Sequence, residues 1–122
     1  MARLSTALAV VAFFVVFPSM VLATQYVVGD DLGWDGTANY QAWADGYAFH
    51  VGDVLIFNYD AGDHNVLLAA NPAGFDGCNA SPSLGVYDSG NDALTLSVAG
   101  TYYFLCGYHC DNLQQKFFIT VN

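Results

Sequence analysis

From Gln25 to Val121 the chain is a succession of short β-branched and aromatic runs, each cut by a glycine, asparagine or aspartate turn signal. So much punctuation leaves little room for long helices, and the chain must bury its apolar residues by pairing short strands. Gln25–Val28 halts at Gly29-Asp30-Asp31, and the strand-like Ala48–Val51 ends in Gly52-Asp53. Asp53–Tyr59 is a continuous apolar run that suits the middle of a sandwich. His64–Ala69, Leu84–Asp88, Ala93–Val98, Thr101–Cys106 and Lys116–Val121 complete the set. Tyr40–Ala44 reads as one short helical turn, and Asn71–Ser83 reads as irregular, with Cys78 inside it. The expected fold is all-β, a Greek-key β-sandwich of about seven or eight strands with one or two short helical turns.

At 122 residues one domain is expected, and a hydrophobic fraction of 55% supplies its core. The start is a different kind of segment. Met1-Ala-Arg3 is basic, Ala7–Phe17 is unbroken apolar sequence, Pro18 interrupts it, and Val21-Leu22-Ala23 offers small residues for cleavage. Residues 1–23 therefore read as a secretory signal peptide cut after Ala23, and residues 24–122 as the folded domain. A membrane anchor is the competing reading, but a span needs about 20 apolar residues. The last strand stops one residue before Asn122, so no apolar tail for a lipid anchor is expected.

The net charge of −9 becomes one unit more negative once Arg3 is removed, leaving Lys116 as the sole lysine or arginine against 11 aspartates. A nucleic-acid partner held through its phosphates is excluded, and encounter with cationic partners is favoured at low salt. The domain is expected to be a monomer.

Chemistry concentrates in Cys106-Gly-Tyr-His109-Cys110 and in Gln114-Gln115-Lys116 just beyond. A soft thiolate, an imidazole and a weak amide donor at short spacing make a mononuclear copper site of the blue electron-transfer type, given a second histidine. His64 can supply it, from a distant strand on which His64, Val66 and Leu68 share a face. Zinc accepts the same cysteine and histidine donors. Three cysteines cannot all pair, and a thiol left over in an oxidising compartment needs protection, which metal ligation gives. Trp34 and Trp43 read as packing residues and His50 as a strand surface residue. Asn79-Ala80-Ser81 is an N-glycosylation sequon, which makes Asn79 a candidate glycoprotein site on an exposed loop.

Gly33-Trp34, Tyr40-x-x-Trp43-Ala, Phe49-x-Val51-Gly52-Asp53, Phe57-x-Tyr59, His64-Asn65-Val66, Cys78-Asn79 and Gly100-Thr-Tyr-Tyr-Phe-Leu-Cys106-Gly together resemble the plant phytocyanins, the family of stellacyanins, plantacyanins and uclacyanins. The resemblance spans essentially the whole of residues 24–122. It implies a cupredoxin fold, one type 1 copper ion, and a Cys78–Cys110 disulfide that leaves Cys106 as the free thiol. It also implies His64, Cys106 and His109 as ligands with a glutamine in the axial place, and an electron carrier of the plant apoplast or cell wall with an unidentified redox partner. One departure stands out: two residues separate Cys106 from His109, where phytocyanins usually have four. The axial position then falls on Gln114 by counting from His109, or on Gln115 by counting back from the lysine; the first count is preferred. An enzyme using Cys106 and His109 as nucleophile and base lacks any marked orienting group. The more serious rival is a copper-free recognition module like the early nodulin-like members of the family, from which retention of all three donors separates this chain.

Overall fold

A computed structural model describes residues 22–122, so the expected signal peptide falls outside the described residues up to position 21. Seven strands are arranged in two sheets: β1 (Gln25–Val27), β2 (Val54–Asn58), β3 (Val66–Ala69), β4 (Ser83–Tyr87), β5 (Asn91–Thr95), β6 (Gly100–Leu105) and β7 (Lys116–Val121). One sheet has the order β1-β2-β5 and the other β4-β3-β6-β7. Only β1 and β2 run parallel; β2–β5, β3–β4, β3–β6 and β6–β7 are antiparallel. The all-β sandwich expectation holds.

The two sheets meet over one core in which Leu55, Phe57 and Leu94 of the first face Val66, Phe104, Phe117 and Ile119 of the second. Burial alternates along β7, with Phe117, Ile119 and Val121 inside and Phe118 outside, as the pleat requires. Trp34, fully buried, packs edge-on against Tyr40, Phe57 and Phe117 at centroid distances of 4.6, 5.3 and 5.8 Å. Rings of that size crossing at steep angles add about 0.5–1.5 kcal/mol each beyond the area they bury.

The helical turn expected at Tyr40–Ala44 is α1 (Tyr40–Asp45), begun by the Asn39 side chain accepting from Ala42 N. Two expectations need correction. Ala48–Val51 contributes only an isolated bridge, Phe49 to Val121, because Gly52 at φ +97° ends the segment before a ladder forms. Within the supposedly irregular Asn71–Ser83, Pro72–Asp76 forms a second helix, α2, with Asn71 as its cap and proline in its first turn. The two residues that start it were both readable signals. Lys116 Nζ donates to the carbonyls of Phe75 and Asp76 at 3.0 and 3.4 Å and lies over the Phe75 ring, so α2 is fastened to the start of β7. No described helix is long and apolar enough to cross a membrane.

Candidate metal centre

The expected donors lie where strands end and turns begin. The strand expected to start at His64 starts at Val66, and His64 sits in the preceding turn, bridged to Ala61. Its ring is thereby aimed at the loop between β6 and β7. Cys106 continues the inward face of β6 after Phe104 and is fully buried, and it is the free thiol among the described cysteines. Cys78 and Cys110 form the disulfide.

Cys106 Sγ lies 3.9 Å from His64 Nδ1. The rings of His64 and His109 are 4.9 Å apart, tilted by 52°. His109 Nδ1 is buried and has no hydrogen-bond partner. An imidazole nitrogen left in that condition is costly unless something else satisfies it. A metal bonded to a thiolate at about 2.3 Å and to an imidazole at about 2.0 Å, in trigonal geometry, holds the two donors about 3.8 Å apart. The observed spacing and the orphaned nitrogen fit that requirement.

The amide of the set is not Gln114. That residue is exposed, its Nε2 donates to the Asp111 carbonyl at 3.2 Å, and its backbone is left-handed at φ +54°. The turn in the chain there brings the next residue inward. Gln115 is fully buried, its Oε1 is 3.0 Å from His64 Nδ1, and its Nε2 donates to the Trp34 carbonyl at 3.1 Å. The sequence did carry a signal for this: Gln115 shares parity with the inward-facing Phe117, Ile119 and Val121.

The comparisons with known proteins agree with this geometry. A plastocyanin-like domain family matches residues 34–115. Stellacyanin of Toxicodendron vernicifluum is 38% identical over 105 residues, covering 80% of this chain and 96% of that one. The chain belongs to the phytocyanin family. The blue copper protein of Petunia hybrida is 46% identical over 100 residues, covering 80% of this phytocyanin but 37% of the Petunia protein. Among solved structures, cucumber basic protein, a blue copper protein, superposes with a TM-score of 0.72 at 35% identity, covering 81% of this chain and all of that one. Cucumber stellacyanin gives 0.71 at 34% identity, covering 82% and 96%.

Residues passed over in the sequence hold this phytocyanin's donors in place. Asn65 Oδ1 accepts from Gly107 N at 2.6 Å, and the Asn65 carbonyl accepts from Trp34 Nε1 at 2.8 Å. The segments carrying His64, Cys106 and Trp34 are thus joined by one side chain and one carbonyl. Gly36 lies so close that a Cβ there would meet Leu113 Cδ1 at 2.9 Å and Gln115 Oε1 at 3.2 Å. Its φ of +86° is also one that side-chain-bearing residues avoid. The hydrogen bonds around the donors are therefore a positioning shell of the kind that fixes ligand orientation.

Beside His64, the Tyr59 ring stands edge-on at 6.5 Å. The Tyr59 hydroxyl donates to Asp92, which also accepts from Ser89 Oγ at 2.6 Å. Burial, then the bond to Asp92, pushes the Tyr59 hydroxyl up to about 12. Asp35 follows Trp34 in the same segment. Burial raises its carboxyl, but bonds from Thr37 and Tyr40 outweigh burial and leave it below the usual carboxylate range.

Proposed function

We propose that this domain holds one type 1 copper ion through His64, Cys106 and His109, with Gln115 as the weak axial donor, and that it carries single electrons outside the cell. The observation that carries the reading is the Cys106 thiol 3.9 Å from His64 Nδ1, with the His109 ring 4.9 Å from that of His64 and its buried Nδ1 left without a hydrogen-bond partner. Copper in such a set supplies a one-electron couple with strong absorption from the cysteine thiolate.

The chain's own contribution is rigidity and exclusion of water. Cys106 and Gln115 lie in the core, and Cys106 N donates to the Gln115 carbonyl at 2.9 Å, so thiolate and amide are pinned to each other through the backbone. Asn65 holds the Cys106 loop to the His64 segment, and the Trp34 carbonyl takes the Gln115 amide hydrogen so that Oε1 faces the imidazole. Donors fixed in this way need not rearrange when one electron arrives or leaves.

Secretion follows from the reading of residues 1–23 as a signal peptide. The visible spectrum of the copper-loaded protein tests the proposal. An intense blue band that Cys106→Ser abolishes is expected; a colourless protein that takes up no copper with all three donors intact overturns it.

A further inference from the structure

Asp53 is a buried charge that the metal centre leaves unexplained. It immediately precedes β2, whose other end leads to Tyr59 and the donors, and it is 3% exposed. Its Oδ2 accepts from His50 N at 2.8 Å and its Oδ1 from Thr24 N at 3.0 Å. Among the described residues, the nearest group able to carry positive charge is His50 Nδ1, 4.0 Å from Oδ2 on a side chain that is 60% exposed. Two main-chain N–H groups satisfy the hydrogen-bonding capacity of a buried carboxylate in part and leave its charge unmatched.

Thr24 is also the residue with which the domain begins once the expected signal peptide, residues 1–23, is removed. Its carbonyl accepts from Val54 N at 2.9 Å, so Thr24 is held from both sides just ahead of β1. Hydrolysis of the Ala23–Thr24 amide by a signal peptidase places the hydroxyl of water on the Ala23 carbonyl carbon and its one remaining hydrogen on Thr24 N, giving a free amine. At neutral pH that nitrogen becomes an α-ammonium. It is the same atom that already lies within hydrogen-bonding distance of Asp53.

We propose that Asp53 is a built receptor for the α-ammonium of Thr24, so that removal of residues 1–23 completes an ion pair on a buried carboxylate and locks the mature domain. The position is specific. A terminus one residue earlier carries its charge up to about 3.8 Å further along the chain. A terminus one residue later deletes the carbonyl that receives Val54 N.

The pH dependence has a definite sign. An α-amino group has an ordinary pKa of about 7.7–8.0, and pairing with a carboxylate raises it in the folded state. The stabilisation is therefore complete below that range and is lost as pH rises through the raised value. Among the described residues, His50 is the other titratable group facing Asp53.

The test uses the full precursor, expressed through a secretory pathway, beside a precursor with one glycine inserted after Ala23. Terminal sequencing identifies each secreted product, and thermal unfolding is followed from pH 6 to 10. The expected result is a natural terminus at Thr24 and a Tm several degrees above that of the glycine-extended product at pH 6. The gap should close by pH 10, persist in His50→Gln and vanish in Asp53→Asn. Equal Tm values with matching pH profiles, a natural terminus elsewhere, or loss of the gap in His50→Gln overturn the proposal. Should Asp53→Asn fail to fold, the inserted-glycine pair decides alone. Unfolding of the metal-free protein suffices, so the outcome is independent of the copper assignment.

Discussion

Gln115 Oε1 and His64 Nδ1, 51 positions apart in sequence, meet at 3.0 Å. That contact places Gln115 rather than Gln114 beside the proposed donors, and it sets the first prediction. An amide oxygen is a harder donor than a thioether and favours the more oxidised ion. Gln115→Met is expected to raise the midpoint potential while keeping the blue colour, and Gln114→Met to leave the potential unchanged. Voltammetry on the two variants decides, and a shift confined to the Gln114 variant returns the axial role to that residue.

Asn65 predicts a stability effect. Its side chain is the acceptor for Gly107 N. Asn65→Ala removes that partner from an exposed N–H, at a cost of about 0.5–1.5 kcal/mol. Urea unfolding of the metal-free protein reads this directly, and a loss near zero would mean that water replaces the amide.

Tyr59 predicts behaviour in alkali. Its neutral hydroxyl is the form favoured by burial and by the bond to Asp92, and its pKa is pushed up to about 12 from the ordinary 10. The stabilisation it contributes is thus fully present below pH 10 and disappears as pH rises through about 12. Tyr59→Phe should flatten the loss of stability across that interval. In the unmodified protein, Tyr59 should ionise late in an absorbance titration, as should Tyr40, whose hydroxyl is also raised by burial; identical alkaline curves for the two proteins would refute the link.

The Cys78–Cys110 bridge spans a sequence separation of 32. A loop of that size restrains the unfolded chain by roughly 3–4 kcal/mol on the chain-entropy estimate. The double variant Cys78→Ala, Cys110→Ala is expected to lose about that much, measured by denaturant midpoint. Peptide mapping of the unmodified protein should recover Cys106 as a free thiol, and its recovery in the bridge would contradict the structure.

Most of the sandwich was legible because side-chain period and turn chemistry are local properties. Asp53–Tyr59 and Lys116–Val121 announce strands by composition, and β2 and β7 lie within them. Helix α2 was hidden by its brevity and by Gly74 inside it, although Asn71 and Pro72 were in plain view. The proposed soft donors His64, Cys106 and His109 stand out by residue type and spacing, and the fold brings His64 close to both Cys106 and His109. Counting from His109 missed the buried amide beside them, because Gln114 at φ +54° turns the chain; parity with Phe117, Ile119 and Val121 was the signal that pointed to Gln115. The shell made by Asn65, Trp34 and Gly36 depends on contacts between distant turns, which composition does not encode.

The bond from Cys106 N to the Gln115 carbonyl has a consequence for how this loop can vary. It closes residues 107–114 into a cassette with a fixed neck, and within it the His109 carbonyl accepts from both Leu113 N and Gln115 N at 3.1 and 3.2 Å. Residues added or removed inside such a cassette leave the sheets beyond the neck undisturbed. Their entropic cost grows only with the logarithm of loop length, about 0.6 kcal/mol per doubling. A loop two residues shorter between thiolate and imidazole is therefore an inexpensive edit, and the same neck would accept a longer insert without rebuilding the scaffold.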